Sequence, residues 1–159
     1  FESRQEAKMI DGVKVRALTK HIDDRGYLME ILREDDPEFV RFGQIYVSTN
    51  LPGIVKAWHA HRKQTDHLCV IKGLAKIGIF DDRKDSPTYR QSMSMVAGEL
   101  NSQLVIIPPL VWHGYIALGN EPAYLINLPT LAYNRQEPEE MRLDPFDNDF
   151  DFDWSPQSR

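Results

Sequence analysis

The sequence predicts an all-β fold built as one domain, and three observations support this. Short segments rich in apolar and β-branched residues recur along the chain, with glycine- and proline-containing turns between them. The middle of the chain offers no long amphipathic helix, and no internal repeat is present. With 159 residues, 42% of them hydrophobic and 27% charged, the chain has the composition of one ordinary globular domain.

We expect an N-terminal extension over residues 1–12, a single domain over residues 13–154 and a C-terminal tail over residues 155–159. The predicted strands are 13–18, 27–33, 44–49, 54–61, 67–72, 75–80, 92–96, 103–107, 114–118 and 123–128. Residues 27–33 also fit a helix, but their short length and the preceding turn favour a strand. Residues 145–154 alternate acids with aromatics, which fits either a half-buried edge segment or an acidic extension that packs only its rings.

The composition also argues against some classes of partner. A formal net charge of -5 argues against nucleic-acid binding. No run approaches the roughly 18 apolar residues of a membrane span, and the N-terminus shows no signal-peptide pattern. The single cysteine, Cys69, excludes an internal disulfide and indicates a reducing compartment. We therefore expect a cytoplasmic protein without a membrane partner.

Residues 53–73 hold three of the five histidines. His59 and His61 are separated by one residue, and in a β-strand side chains at i and i+2 point to the same face. Val55 and Ala57 precede them on that face, so we expect the two imidazoles to look into the interior. Buried polar groups need partners. The pair therefore predicts a metal site, a proton-transfer site, or histidines satisfied by neighbouring backbone.

The spacing of this stretch resembles the first cupin motif: glycine, five residues, His-x-His, four residues, an acid, six residues, glycine. The acid here is Asp66, where glutamate is usual. The second cupin motif is partly present around His113, but Leu110 stands at its glycine and its closing asparagine is missing. The resemblance implies a cupin-type jelly-roll β-barrel. In it, two strands face each other across the barrel, and His59, His61 and His113 converge in its mouth.

Further motifs resemble a more specific family. They are DRGY at 24–27, Glu30, Gln44, KAWH at 56–59, DRKDSPTY at 82–89, QLVIIP at 103–108 and HGY at 113–115. Their order and separations are similar to those of the dTDP-4-dehydrorhamnose 3,5-epimerase family, over about residues 13–154. The resemblance implies a metal-free cupin, usually a homodimer, that acts on a nucleotide-linked 4-keto-6-deoxy sugar without a cofactor.

The resemblance also implies roles for the histidines. Epimerisation removes a proton alpha to the C4 ketone, and a neutral imidazole with a pKa of about 6.5 is a suitable base. His59 occupies the position of the family's base. The family stabilises the enolate with a lysine, for which this chain offers His67. His113 and His61 complete the expected catalytic set, with His61 standing where glutamine is usual.

The substrate-binding residues follow from the same resemblance. We expect them to be Arg25, Glu30, Gln44, Lys56, Tyr115 and Tyr133. Arg25 and Lys56 match positions that hold the diphosphate. Gln44, Arg25 and Glu30 are candidates for the nucleotide side of the pocket.

Two departures from the family keep other functions open. Ile126 occupies the position of the family's proton-donating tyrosine and cannot donate a proton. Tyr115, Tyr124 or Tyr133 could substitute for it, and spacing does not select among them. The family's carboxylate partner of the base comes from a region after Trp154, where only five residues follow. Epimerisation at one carbon, ketone isomerisation as in the related sugar 3,4-ketoisomerases, and binding without catalysis are therefore alternatives.

A metal-dependent cupin is a further alternative. Three histidines and a carboxylate could hold a divalent transition metal, with positions left open for substrate. Its ligands would be His59, His61, Asp66 and His113.

Overall fold

The structure, a computed structural model, describes residues 8–156, which form β-strands and no α-helix. The strands are β1 Lys14–Ala17, β2 His21–Asp23, β3 Gly26–Leu28, β4 Tyr46–Asn50, β5 Val55–His61, β6 Asp66–Lys72, β7 Leu74–Asp81, β8 Ser92–Gly98, β9 Gln103–Ile107, β10 Val111–Leu118, β11 Ala123–Asn127 and β12 Glu140–Arg142. Within the described range, no helix is long and apolar enough to cross a membrane. The predicted all-β class is confirmed.

The strands form two five-stranded sheets and one hairpin. The first sheet has the order β1-β9-β6-β11-β4, and the second has the order β12-β5-β10-β7-β8. Strands β2 and β3 pair only with each other. All pairings between these strands are antiparallel, and neither sheet closes on itself.

The main core lies between the two sheets. Leu68, Val105 and Leu125 of the first sheet cluster with Ile77 and Ile79 of the second, and all five are at least 97% buried. Apolar side chains from both sheets therefore pack face to face, which is the main source of stability in such a fold.

Packing begins before the expected domain start at residue 13. Ile10 is fully buried within the main core cluster, and the backbone N–H of Asp11 donates to Oγ1 of Thr88. Residues 1–7 of the expected extension and residues 157–159 of the expected tail lie outside the described residues.

The outer face of the second sheet carries a separate aromatic cluster. Trp58 and Phe80 pack there with three rings of the C-terminal segment, Phe150, Phe152 and Trp154. The acids that alternate with these rings are exposed. The segment therefore follows the second of the two sequence interpretations, an acidic extension that packs only its rings.

Two predicted strands differ from the structure. The strand expected over residues 27–33 ends at Leu28, and Gly26–Leu28 pairs with His21–Asp23 in an exposed hairpin. Beyond it, Arg33 forms local ion pairs with Glu30 and Asp35, which need no strand partner. The strand expected from residue 114 begins at Val111 and so includes His113. The short strands β2 and β12 were not predicted.

Candidate active site

The pairing of β5 with β10 sets His59 beside His113. The two residues are antiparallel partners, and their ring centroids lie 4.2 Å apart. Immediately after His113 the register shifts, and a Cβ atom on Gly114 would lie 2.2 Å from Cβ of Ala57. A glycine is therefore required for this close approach. The histidines converge as expected, but from neighbouring strands of one sheet, which corrects the expectation of two strands facing each other across a barrel.

Strand β12 adds charged groups along the other edge of β5. Arg142 lies opposite His59, and Glu140 lies opposite His61. The preceding residue, Glu139, places Oε1 at 3.0 Å from Nδ1 of His61 and accepts a hydrogen bond from the backbone N–H of Lys63. The His61 ring is therefore held between Glu139 on one side and Asp66 on the other.

Asp66 reaches the same point from β6 of the first sheet and is 1% exposed. Its Oδ2 lies 3.0 Å from Nε2 of His113 and 3.4 Å from Nε2 of His61. Its Oδ1 accepts hydrogen bonds from Nε2 of Gln64 at 2.6 Å and from Nδ2 of Asn127 at 2.9 Å. Burial acts to raise the pKa of Asp66, but the hydrogen bonds and nearby histidine charge outweigh it and lower this pKa below its usual range.

The environment of His59 favours a neutral ring. Burial lowers the pKa of His59 well below its ordinary value, and the charge of neighbouring His113 lowers it further. Both ring nitrogens of His113 face oxygen acceptors, the carbonyl of Val111 at 3.0 Å and the carboxylate of Asp66. A neutral His59 thus lies beside a buried histidine–carboxylate pair.

A cleft of about 700 Å³ opens over His59. Lys56, Tyr115 and Tyr46 line it together with Asn127. The Tyr115 hydroxyl donates to Oγ of Ser48 at 2.6 Å, and the Lys56 ammonium donates to the same oxygen at 3.2 Å and to the carbonyl of Thr49 at 2.5 Å.

A second cleft of about 730 Å³ adjoins the first, and the two share Tyr46, Glu140 and Arg142 as lining residues. It contains Gln44 and Tyr133, whose backbone N–H donates to Oε1 of Gln44. Its other polar lining residues are His61, Arg62, Lys63, Gln64, Asn134, Glu137 and Glu139.

Several residues expected in the site do come together. His59, His61, His113 and Asp66 form one cluster, Lys56 and Tyr115 line its cleft, and Gln44 and Tyr133 line the adjoining cleft.

His67 does not join this cluster, so the expectation that it stabilises the enolate needs correction. Successive side chains of a strand point to opposite faces, so His67 faces away from the cluster that Asp66 joins. Its two ring nitrogens lie 3.0 Å from the backbone carbonyls of Leu128 and Glu38. The buried imidazole therefore ties two backbone segments together.

Arg25 and Glu30 also lie outside the cleft of their own chain. Arg25 sits at the turn of the exposed β2–β3 hairpin, with 89% of its side chain exposed, and pairs with Asp23. Glu30 is exposed and pairs with Arg33.

Other residues that line the clefts were not predicted from the sequence. Asn127, not Ile126, reaches the cleft from β11, because alternation along that strand turns Ile126 to the other face. The same alternation, started from Gln44, could have identified Tyr46 and Ser48. Glu139, Glu140 and Arg142 occupy an acidic stretch without a strand signal, and nothing in the sequence distinguished them.

The cluster has the donor set of a cation site. Ligand atoms of His59, Asp66 and His113 lie within 4.8 Å of one another, and these are nitrogen and oxygen donors of the kind that transition metals accept. The same atoms can instead hold and move protons.

Comparison with known proteins finds one family. The family model described as dTDP-4-dehydrorhamnose 3,5-epimerase matches residues 7–159. The spore coat polysaccharide biosynthesis protein SpsL of Bacillus subtilis (strain 168) is 40% identical over 151 residues, which cover 95% of this chain and 100% of that protein. The probable low-salt glycan biosynthesis epimerase Agl13 of Haloferax volcanii is 44% identical over 140 residues, covering 87% of this chain and 89% of that protein.

Solved structures share the fold. A dTDP sugar isomerase from Desulfovibrio desulfuricans G20 matches with a TM-score of 0.87 and 31% identity, covering 94% of each chain. A dTDP-4-dehydrorhamnose 3,5-epimerase from Elizabethkingia anophelis NUHP1 has a TM-score of 0.79 at 22% identity and covers 93% of this chain and 84% of its own. At that lower identity the likeness concerns the fold alone.

Proposed function

The chain belongs to the dTDP-4-dehydrorhamnose 3,5-epimerase family, and from this premise we propose that it epimerises a dTDP-linked 4-keto-6-deoxyhexose. The reaction is proton abstraction alpha to the C4 ketone followed by reprotonation, at C3, C5 or both. The observation that carries this proposal is the neutral His59 at the wall of a cleft, beside the hydrogen-bonded Asp66–His113 pair.

His59 is the base in this proposal. Its lowered pKa keeps a lone pair available at neutral pH, so it can take the alpha proton. The enolate that forms needs a nearby positive charge. We assign that role to the His113 ring, 4.2 Å from the His59 ring, in place of His67. Asp66 acts through His113 and is a positioning residue.

Substrate binding is assigned to the two adjoining clefts. Lys56 and Arg142 line the cleft that contains His59 and are suited to a diphosphate, whose negative charge attracts cationic side chains. Gln44 and Tyr133 line the adjoining cleft, which we assign to the nucleotide.

We further propose a homodimer. The β2–β3 hairpin leaves Ile22, Tyr27 and Leu28 more than half exposed, and β4 is an unpaired edge of the first sheet. Exposed apolar side chains and an open strand edge both favour association with a second copy. A role for Arg25 in binding then requires that the hairpin reach the cleft of the other protomer. Light scattering tests the dimer, and a monomer at working concentration would contradict it.

We also propose a cupin-type jelly-roll fold and a cytoplasmic location for the protein. Two face-to-face antiparallel sheets with a polar cleft at the His59 cluster support a cupin-type jelly-roll arrangement. A single buried cysteine supports a cytoplasmic location.

The test is proton NMR of dTDP-4-keto-6-deoxyglucose incubated with the protein in deuterated water. Deuterium entering at C3, C5 or both, with a new epimer signal, is the expected result. A new ketone position instead identifies a 3,4-ketoisomerase. Binding of the nucleotide sugar without any exchange identifies a non-catalytic binder and contradicts the proposal.

A second candidate is a metal-dependent enzyme on the same cluster. The close ligand atoms of His59, Asp66 and His113 favour it, and Nε2 of His61 lies 3.4 Å from Oδ2 of Asp66 as a fourth donor. Metal analysis of protein prepared without chelator separates the candidates. Near-stoichiometric iron, manganese, nickel or zinc, together with loss of turnover on metal removal, would favour this one. Full epimerase activity of metal-stripped protein would exclude it.

A further inference from the structure

Inversion of a carbon needs an acid as well as a base. The proton removed by His59 leaves one face of the sugar, and a new proton must arrive at the opposite face. Ile126, which falls at the family's tyrosine position, has no proton to donate and lies on the far face of β11. The donor must therefore be another group that lines the same cleft as His59.

Three tyrosines near in sequence to His113 are poor candidates. Tyr124 lies on the outward face of β11, with the Lys72 ammonium 5.4 Å from its ring centroid. Tyr133 lines only the adjoining cleft. Tyr115 lines the right cleft, but its hydroxyl hydrogen is already donated to Oγ of Ser48 at 2.6 Å.

Tyr46 differs from all three. It begins β4 in the first sheet, whereas His59 belongs to the second sheet, and both side chains line the same cleft. A substrate bound in that cleft would therefore lie between a group from each sheet. Tyr46 also lines the adjoining cleft, so it stands where the two meet.

The hydrogen-bond network leaves the Tyr46 proton free. Oδ1 of Asn127 accepts from the backbone N–H of His67, so the amide nitrogen must point the other way. That nitrogen donates one hydrogen to Oδ1 of Asp66 and one to the Tyr46 hydroxyl oxygen, each at 2.9 Å. The Tyr46 oxygen is thus an acceptor, and among the described residues its own hydrogen has no acceptor.

We propose that Tyr46 is the catalytic acid that protonates the enolate on the face opposite His59. His59 takes the alpha proton, so the C–H bond breaks and its electrons enter the enolate. The Tyr46 O–H bond then breaks, and a new C–H bond forms on the other face. The products are the inverted sugar, an imidazolium at His59 and a phenolate at Tyr46. Solvent returns a proton from one to the other.

Two features suit Tyr46 to this step. Burial raises the pKa of Tyr46 to about 12, with a further contribution from the charge of Asp66, so the hydroxyl stays protonated at neutral pH. The hydrogen bond from Asn127 acts in the opposite direction on this pKa, because it stabilises the phenolate. Asn127 therefore positions the acid and supports the charge that develops on it.

The proposal rests on the proposed function, and Tyr46→Phe tests it. The variant keeps the ring and loses only the hydroxyl, while His59 remains. In deuterated water we expect alpha-carbon exchange to continue, because His59 can remove a proton and return deuterium to the same face. Formation of the inverted sugar should fall by about 100-fold or more, the usual range for loss of a general acid. NMR of the same sample measures both rates.

Tyr124→Phe is the matched control, since it removes a hydroxyl from the outward face of the same sheet, and both rates should be unchanged. Inversion at the wild-type rate in Tyr46→Phe overturns the proposal. So does an equal loss of exchange and inversion, which indicates a structural role, or a loss of inversion confined to Tyr115→Phe. Absence of exchange in the wild-type protein would instead contradict the proposed function, which distinguishes the two failures.

Discussion

The two faces of β5 have opposite chemistry within one strand. On the inner face, His59 and His61 lie close to the buried carboxylate of Asp66, which is 3.4 Å from Nε2 of His61. On the outer face, Trp58 is 1% exposed and lies within 4.8 Å, between ring centroids, of Trp154. Only the alternation of a β-strand separates the two environments.

The difference separates two kinds of contribution. Apolar burial on the outer face stabilises the fold in proportion to the area removed from water. The polar cluster on the inner face gains little net stability, because desolvation opposes its hydrogen bonds and ion pairs. In the proposed reaction it holds protons at defined atoms. Substitutions on one face should therefore change activity, and substitutions on the other should change stability.

The largest expected effect is on the inner face. His59→Asn removes the base while retaining a polar side chain, so alpha-proton exchange should fall by about 1,000-fold or more. Binding of dTDP, measured by calorimetry, should be retained. Lys84→Asn, at an exposed position outside both clefts, is the control and should exchange normally. Retained exchange in the His59 variant would remove this residue as the base.

Substitutions on the outer face should instead lower the free energy of unfolding. Phe150 is 8% exposed and stacks on Phe80 with centroids 3.9 Å apart. Phe150→Ala should lower the free energy of unfolding by about 3–5 kcal/mol, because it leaves a cavity. Urea unfolding measures this loss, and exchange activity should persist below the melting temperature.

Phe146→Ala is the control for that measurement. Phe146 lies in the same segment but is 76% exposed, so its removal should change the free energy of unfolding by less than about 0.5 kcal/mol. Equal losses for the two phenylalanines would show that the segment does not cover the sheet as described.

Acid should lower the free energy of unfolding through the Asp66 carboxylate on the inner face. The pKa of Asp66 is lowered in the folded protein, so its contribution to stability is complete above the unfolded pKa of about 3.9. That contribution is lost as the pH falls from about 4 toward the lower folded value, because protons bind the unfolded state first. Asp66→Asn should therefore show a shallower fall in stability below about pH 4 than the wild type.

Exposed Asp151 supplies the control for the acid measurement. Asp151→Asn should follow the wild-type dependence of unfolding free energy on pH. If Asp66→Asn followed it as well, the carboxylate would contribute nothing through ionisation.

The smallest expected effect concerns the contact between Lys76 and the C-terminal segment that covers the outer face. The ammonium of Lys76 donates hydrogen bonds to the backbone carbonyls of Asp153 and Ser155 and lies 5.3 Å from the Phe152 ring centroid. Lys76→Met should lower the free energy of unfolding by about 1–2 kcal/mol and speed hydrogen exchange in residues 150–156. Lys84→Met, at an exposed position, should change neither.

The sequence alone determined the strand alternation that puts His59 and His61 on one face, because a period of two depends only on local backbone geometry. It also carried the family resemblance, the all-β class and the aromatic character of the C-terminal segment. These properties depend only on neighbouring residues or on fixed spacings along the chain. They required no knowledge of which strands pair.

The tertiary structure alone decided which groups meet. Asp66 rather than His67 faces His113, Arg142 lies opposite His59, and Asn127 links Asp66 to Tyr46. The residues in these contacts are 47 to 83 positions apart in the chain. Whether they touch depends on strand order, on register and on how the two sheets pack. A slip of one residue would turn every side chain of a strand to its other face, and local spacing does not specify register between distant strands.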